Sequence, residues 1–234
     1  MQLKADYSGF NDAWVPRNDQ VHKEQARAAK DAKTPQGRLA KEKEYGARWS
    51  ALYELDYFEP VCHHSIDPMH CIFLGVCKRF MKLMFKLEIL TDSDAQEIQQ
   101  KIDRMRTPST IGRIPRKIGS KFSSLTADEW KNWTLVYSTV CLQNRLPTDI
   151  YQIWLLFVKV TAILCKRHLK RTDITNSEAM IWKFAAAYEA RFGKEECTPN
   201  LHLLCHLPSV IRNYGPVYSF WCYSFERLVI DIYK

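Results

Sequence analysis

The sequence predicts a mainly α-helical protein, and three observations carry that prediction. Glycine is scarce, 8 of 234 residues, under half the usual share of ~7%. Apolar residues recur three and four positions apart through several long segments, the spacing that lines one face of a helix. Between those segments stand helix-start and helix-stop signals, among them Thr126-x-x-Glu129 and Gly193, where a β fold would carry closely spaced hairpin turns. Hydrophobic residues make up 46% and charged residues 26% of the chain, a balance that builds a core and excludes a disordered class.

The elements follow in order along the chain. Residues 1–17 are aromatic and irregular and close at Pro16. Residues 18–46 are almost wholly polar. Asn18 or Asp19 can cap a first helix, and Thr34-Pro35 ends it and opens a second with proline at its first position. A helical hairpin polar all round, with charges of both signs, is either a solvated pair or an arm that contacts DNA. Residues 49–66 carry Tyr53, Leu55, Tyr57, Phe58 and Val61. After Pro60 the run VCHHSI (61–66) reads as a short buried strand ending at Asp67-Pro68. Residues 69–86 are apolar at helical spacing, with Lys78, Arg79, Lys82 and Lys86 on one flank.

The remainder reads as consecutive helices. Residues 92–106 place Ile98, Ile102 and Met105 on one face behind a Thr91 or Asp92 cap. Thr126-Ala-Asp-Glu129 is a capping box, in which each side chain satisfies the other residue's N–H. It opens a helix with Trp130, Trp133, Tyr137 and Val140 on one face. Thr148/Asp149 starts a long apolar helix to about Lys170. Thr175-x-x-Glu178 reads as a second capping box, for a helix closed by Gly193. Thr198-Pro199 starts another, which Tyr214-Gly215-Pro216 breaks, and a last helix runs from Tyr218.

Composition also sets the function classes. The longest apolar stretch, residues 153–165, contains Lys159 and falls short of the about 20 residues that span a bilayer, so no membrane partner is expected. The N-terminus MQLKADYSGF has no apolar core, so no signal peptide is expected. Eight cysteines spread over 234 residues point to reduced thiols in an intracellular protein. A net charge of +8 and a pI of about 9.0 suit a polyanion partner, although many solvated helical faces look the same.

Four groups of residues can carry chemistry. His202 and His206 lie four apart, so on a helix they share a face and can supply two zinc ligands, with Cys197 or Cys205 near enough in sequence for a third. Asp67, at a strand end before Pro68, is placed either to hold a hard divalent cation or to cap the following helix. Glu226 sits in an aromatic segment, YSFWCYSFERL, that reads as largely buried. A carboxylate there needs Arg227, another cation or a metal ion. Arg113, Arg116, Lys117 and Lys121 stand among Gly, Pro and Ser in a segment able to lie along phosphates.

Five blocks in order, YFEPVCHHSIDPMHCIFLG (57–75), IGRIPRKI (111–118), SLTADEWKNWTLVYS (124–138), CTPNLHLLCHL (197–207) and YGPVYSFWCYSFER (214–227), resemble the transposases of CACTA-type elements. The likeness is nearest to the Kyakuja–Dileera–Zisupton group and covers residues 6–227. It implies cut-and-paste DNA transposition, in which a ribonuclease-H-like core holds two divalent ions, Mg²⁺ or Mn²⁺, on three acidic residues. Asp67 would be the second acid and Glu226 the third, with His202 and His206 matching a histidine pair that binds structural Zn²⁺. The implied partners are transposon-end and target DNA and a second copy of the chain, and the implied location is the nucleus.

The family's first acid lies upstream of the block matched at Asp6. The expectation is therefore a fragment, inactive alone: a polar hairpin (1–48), a partial ribonuclease-H-like core (49–90), an all-helical insertion (91–197) and a closing segment (198–234). The alternative is a non-catalytic DNA-binding or regulatory helical module derived from such an enzyme.

Overall fold

In the computed structural model residues 6–10 and 14–232 are described. The remainder of the expected N-terminal irregular segment and the side chain of Arg227 lie outside the described residues. The chain is mainly helical, with no strand among the described residues. It packs as two compact units, one from residues 14–65 and one from residues 6–10 with 66–232.

The smaller unit is built on α1 (Asp19–Lys30) and α2 (Pro35–Tyr45). Their starts are local. Asn18 accepts the Val21 N–H and Thr34 accepts the Gly37 N–H, so each side chain satisfies one of the N–H groups a helix leaves open. Gly46 ends α2 in the left-handed conformation, φ 60°. The expected strand at residues 61–66 does not form. The Val61 N–H donates to Asp19 Oδ1 (2.7 Å), the His63 N–H donates to the Glu59 carbonyl (2.7 Å), and residues 61–65 are exposed. Turn and side-chain acceptors take the hydrogen bonds that a strand would need from a neighbour.

The larger unit begins with a π-helical segment, Met69–Cys77, continuing as α3 (Lys78–Lys86). Next come α4 (Asp92–Arg104), the short α5 (Ile118–Lys121) and α6 (Ala127–Asn132). A second π-helical segment, Trp133–Tyr137, joins α6 to α7 (Ser138–Leu142). The long helices α8 (Thr148–Leu164), α9 (Arg171–Phe192) and α10 (Pro199–Tyr214) follow, and α11 (Tyr223–Ile232) closes the chain. Both Thr91 with Asp94 and Thr126 with Glu129 form reciprocal capping boxes. The core is aromatic: Trp130, Trp133, Trp154, Phe80, Phe157 and Phe184 are fully buried.

Three expected details change. The apolar helix α8 stops at Leu164, because the cationic run after it turns back and Asp173 accepts the Lys170 N–H (3.0 Å) to start α9. The Thr175–Glu178 box therefore falls inside α9, where Thr175 Oγ1 donates to the Arg171 carbonyl and Glu178 pairs with Arg212. Val140 turns outward, 46% exposed, because the π-helical segment ahead of it shifts the face that an α-helix would have continued.

Gly75 sets how closely the Met69–Cys77 segment approaches α10. A Cβ there would lie 2.6 Å from Asn200 Cγ and 2.7 Å from the His70 carbonyl oxygen. Gly75→Ala is expected to destabilise the fold by about 1–3 kcal/mol through overpacking. Urea unfolding measures it, and an unchanged midpoint would mean that the two helices separate freely.

Candidate functional site

Asp67 stands immediately before the Met69–Cys77 segment, and Pro68 (φ −65°) gives the chain its helical entry. The carboxylate accepts the Met69 N–H at Oδ1 (3.3 Å) and the His70 N–H at Oδ2 (2.9 Å). It also accepts the Cys222 N–H at Oδ1 (2.8 Å), from a residue 155 positions away that opens α11. One carboxylate thus covers the N-termini of two helices, where backbone dipoles favour negative charge. The capping alternative for Asp67 is what the geometry displays, at two helices together.

His70 completes the cluster. Its Nδ1 lies 2.5 Å from Asp67 Oδ2 and its Nε2 lies 3.1 Å from Glu226 Oε1. Asp67 and Glu226, picked from separate sequence blocks, are therefore joined through a single imidazole. Glu226 is half-exposed, and Phe225 and Leu228 beside it are 65% and 58% exposed. The expected burial of this segment does not hold, because the side of α11 bearing them has no cover among the described residues. The partner of Glu226 is His70. The Cys222 thiol also faces this cluster, with Asp67, His70 and Cys222 ligand atoms all within 4.8 Å of one another. Burial, reinforced by the negative charge of Asp67, pushes the Cys222 thiol pKa up.

This arrangement does not fit a two-ion Mg²⁺ or Mn²⁺ centre. Mg²⁺ wants near-octahedral oxygen ligands and is held through carboxylates. Here an imidazole stands between the two acids, with its Nδ1 on Asp67 and its Nε2 on Glu226, so the carboxylates do not face a common ion.

His202 and His206 meet as their spacing in α10 requires, Nε2 to Nε2 at 3.1 Å, with the Tyr7 ring against His202. Burial lowers both imidazole pKa values, and the charge of His206 adds to the effect on His202. Neither cysteine that the sequence places near the pair turns to it. Cys205 Sγ is directed to the Leu201 carbonyl and Cys197 Sγ to the Gly193 carbonyl. Among the described residues no third Cys, His, Asp or Glu ligand atom groups with the pair. In the smaller unit the half-buried Asp19 and the exposed Glu59 and Cys62 form a separate group, with Cys62 Sγ 3.6 Å from Asp19 Oδ2.

The basic segment ahead of α6 is held by its backbone. Asp128 Oδ2 accepts the Arg113 N–H (3.1 Å), and Asn132 Nδ2 donates to the Arg113 carbonyl (2.8 Å). Gln99 of α4 accepts the Ile118 N–H (2.8 Å) and donates to the Pro115 carbonyl (3.3 Å). The side chains of Arg113, Arg116, Lys117 and Lys121 are all exposed, and none is in an ion pair among the described residues. Burial pushes the half-buried Asp128 carboxyl up, but hydrogen bonds from the Lys131 ammonium and the Arg113 N–H, with the positive charges of both residues, hold it below its usual pKa.

No family model, curated protein or solved structure matches this chain. Its chemistry rests on its own residues.

The sequence reading missed His70 and Cys222. The signal for His70 was present as Asp67-Pro-Met-His70, an i, i+3 pair at a helix start that puts an imidazole beside the capping carboxylate. Nothing local marks Cys222, since its neighbour lies 155 positions away. No helix among the described residues is long and apolar enough to cross a membrane.

Proposed function

We propose that this chain is a transposase-derived DNA-binding module. It holds duplex DNA through Arg113, Arg116, Lys117 and Lys121 and does not cut it unaided. The observation that supports this reading is a segment with a pinned backbone and four exposed cations that form no ion pair among the described residues. Unpaired cations on a fixed backbone neutralise phosphates without first breaking a protein ion pair or ordering a loop. Ancestry from a cut-and-paste transposase rests on the sequence resemblance. In that reading Asp67 and Glu226 mark a remnant of a ribonuclease-H-like core, and residues 91–197 are its helical insertion. The module would act in the nucleus, on transposon ends or target DNA, with a second copy as a further partner. The His70 ring that stands between Asp67 and Glu226 favours DNA binding over strand cleavage.

Fluorescence anisotropy with labelled duplexes of unrelated sequence tests it. Affinity is expected to fall with salt at a log–log slope of about −3.6, for about four phosphate contacts. Each single replacement among the four cations by alanine should reduce the slope by about 1. Plasmid nicking with Mg²⁺ or Mn²⁺ should be absent. A salt slope near zero at low ionic strength refutes the reading, and so does metal-dependent nicking abolished by Asp67→Ala.

A further inference from the structure

The cluster that does not suit Mg²⁺ has the composition of a different metal site. Asp67, His70 and Cys222 offer one oxygen, one nitrogen and one sulfur, with ligand atoms within 4.8 Å of one another. Three such ligands around zinc sit about 2.0–2.3 Å from the ion, so closing on it requires small side-chain movements and no change of fold. Imidazole and thiol donors select zinc-like ions over Mg²⁺, which prefers oxygen alone. Glu226 supplies a second, independent feature. It occupies the remote nitrogen of His70, with Nε2 at 3.1 Å from Oε1, and so fixes the ring with Nδ1 turned to Asp67. A carboxylate on the far nitrogen of a ligating histidine is the usual outer support of a zinc site.

We propose that Asp67 Oδ2, His70 Nδ1 and Cys222 Sγ bind one divalent transition-metal ion, zinc by preference, with Glu226 as the positioning residue for His70. The ion replaces the proton on Nδ1 and the proton on Sγ, and both are released to solvent. Oδ1 keeps the Cys222 N–H and Oδ2 keeps the His70 N–H, so both helix starts stay capped when the metal is bound. His70 is 53% exposed, so ions reach the cluster directly and water takes the fourth position. The proposal is independent of DNA binding.

Co²⁺ alone, titrated into the full chain, is the probe, with Zn²⁺ as competitor. The expected result is one equivalent of Co²⁺ giving a thiolate-to-cobalt charge-transfer band that Zn²⁺ bleaches. Cys222→Ser should remove that band while circular dichroism stays unchanged, since the capping N–H belongs to the backbone. Glu226→Gln should weaken Co²⁺ binding about 10–100-fold. Cys62→Ser should leave the band intact, which separates this site from the Asp19–Glu59–Cys62 group. A wild-type chain without the band, or a band that survives Cys222→Ser, overturns the proposal.

Discussion

Trp154→Ala is expected to produce the largest loss of stability in the larger unit, about 4 kcal/mol. Trp154 is fully buried in α8, with its ring 4.7 Å from Phe80 and 5.4 Å from Phe157, centroid to centroid. Its Nε1–H donates to Ser138 Oγ (3.0 Å), and that hydroxyl donates to the Thr134 carbonyl (2.9 Å). Truncation removes the indole from between α3 and α8, leaves a cavity that rigid neighbours only partly fill, and deprives a fully buried serine of its donor. Domains of this size hold only about 5–15 kcal/mol of net stability, so the variant should sit close to unfolding. Trp154→Phe should cost less, because most of the volume remains and chiefly the hydrogen bond is lost, about 1 kcal/mol. Urea denaturation by far-ultraviolet circular dichroism measures both. A Trp154→Ala loss under about 1 kcal/mol would show that the α3–α8 contact is not the centre of the core.

Asp67→Ala should come next, at about 3 kcal/mol. A single capping aspartate is worth about 1 kcal/mol when replaced by alanine. This one serves two helix starts and an imidazole, with its side chain only 16% exposed. Removing it leaves the N–H groups of Met69, His70 and Cys222 without that acceptor and unties α11 from the Met69–Cys77 segment. Asp67→Asn keeps one acceptor oxygen and should lose about half as much. His70→Ala removes only a half-exposed contact and should lose less than 1 kcal/mol. Amide hydrogen exchange gives the site-specific reading, with faster exchange at Met69, His70 and Cys222 in Asp67→Ala. Unchanged exchange at Cys222 would mean that α11 is held by something other than this carboxylate.

These two residues differ in how far the sequence revealed them. The burial of Trp154 followed from its place in an apolar run with a helical period. Asp67 carried two readings, metal ligand or cap, and its type and spacing allowed both. What separates them is which donors reach its oxygens, and one of those belongs to Cys222. The same holds for Glu226. An aromatic neighbourhood in sequence suggested burial, yet Phe225 faces solvent, because a run of rings is buried only where another element covers it. Gln99 and Asn132, which pin the basic segment, were invisible for a similar reason. Their acceptors and donors are backbone groups of a loop, and those carry no residue-type signature.

By itself the sequence determined where most helices begin and what class of fold results. Asn18, Thr34, Thr91 and Thr126 each close a contact to an N–H three residues ahead. Such a contact needs no partner from elsewhere, so spacing alone is enough to read it. Tertiary structure alone decided that residues 61–66 form no strand, that Thr175 and Glu178 lie inside a helix, and that Asp67, His70, Cys222 and Glu226 form one cluster. A strand needs a second strand, and a capping box yields when a competing acceptor such as Asp173 stands nearer the helix start. A carboxylate takes its role from the donors that folding brings to it, and for Asp67 these come from two helices that meet only in the folded chain.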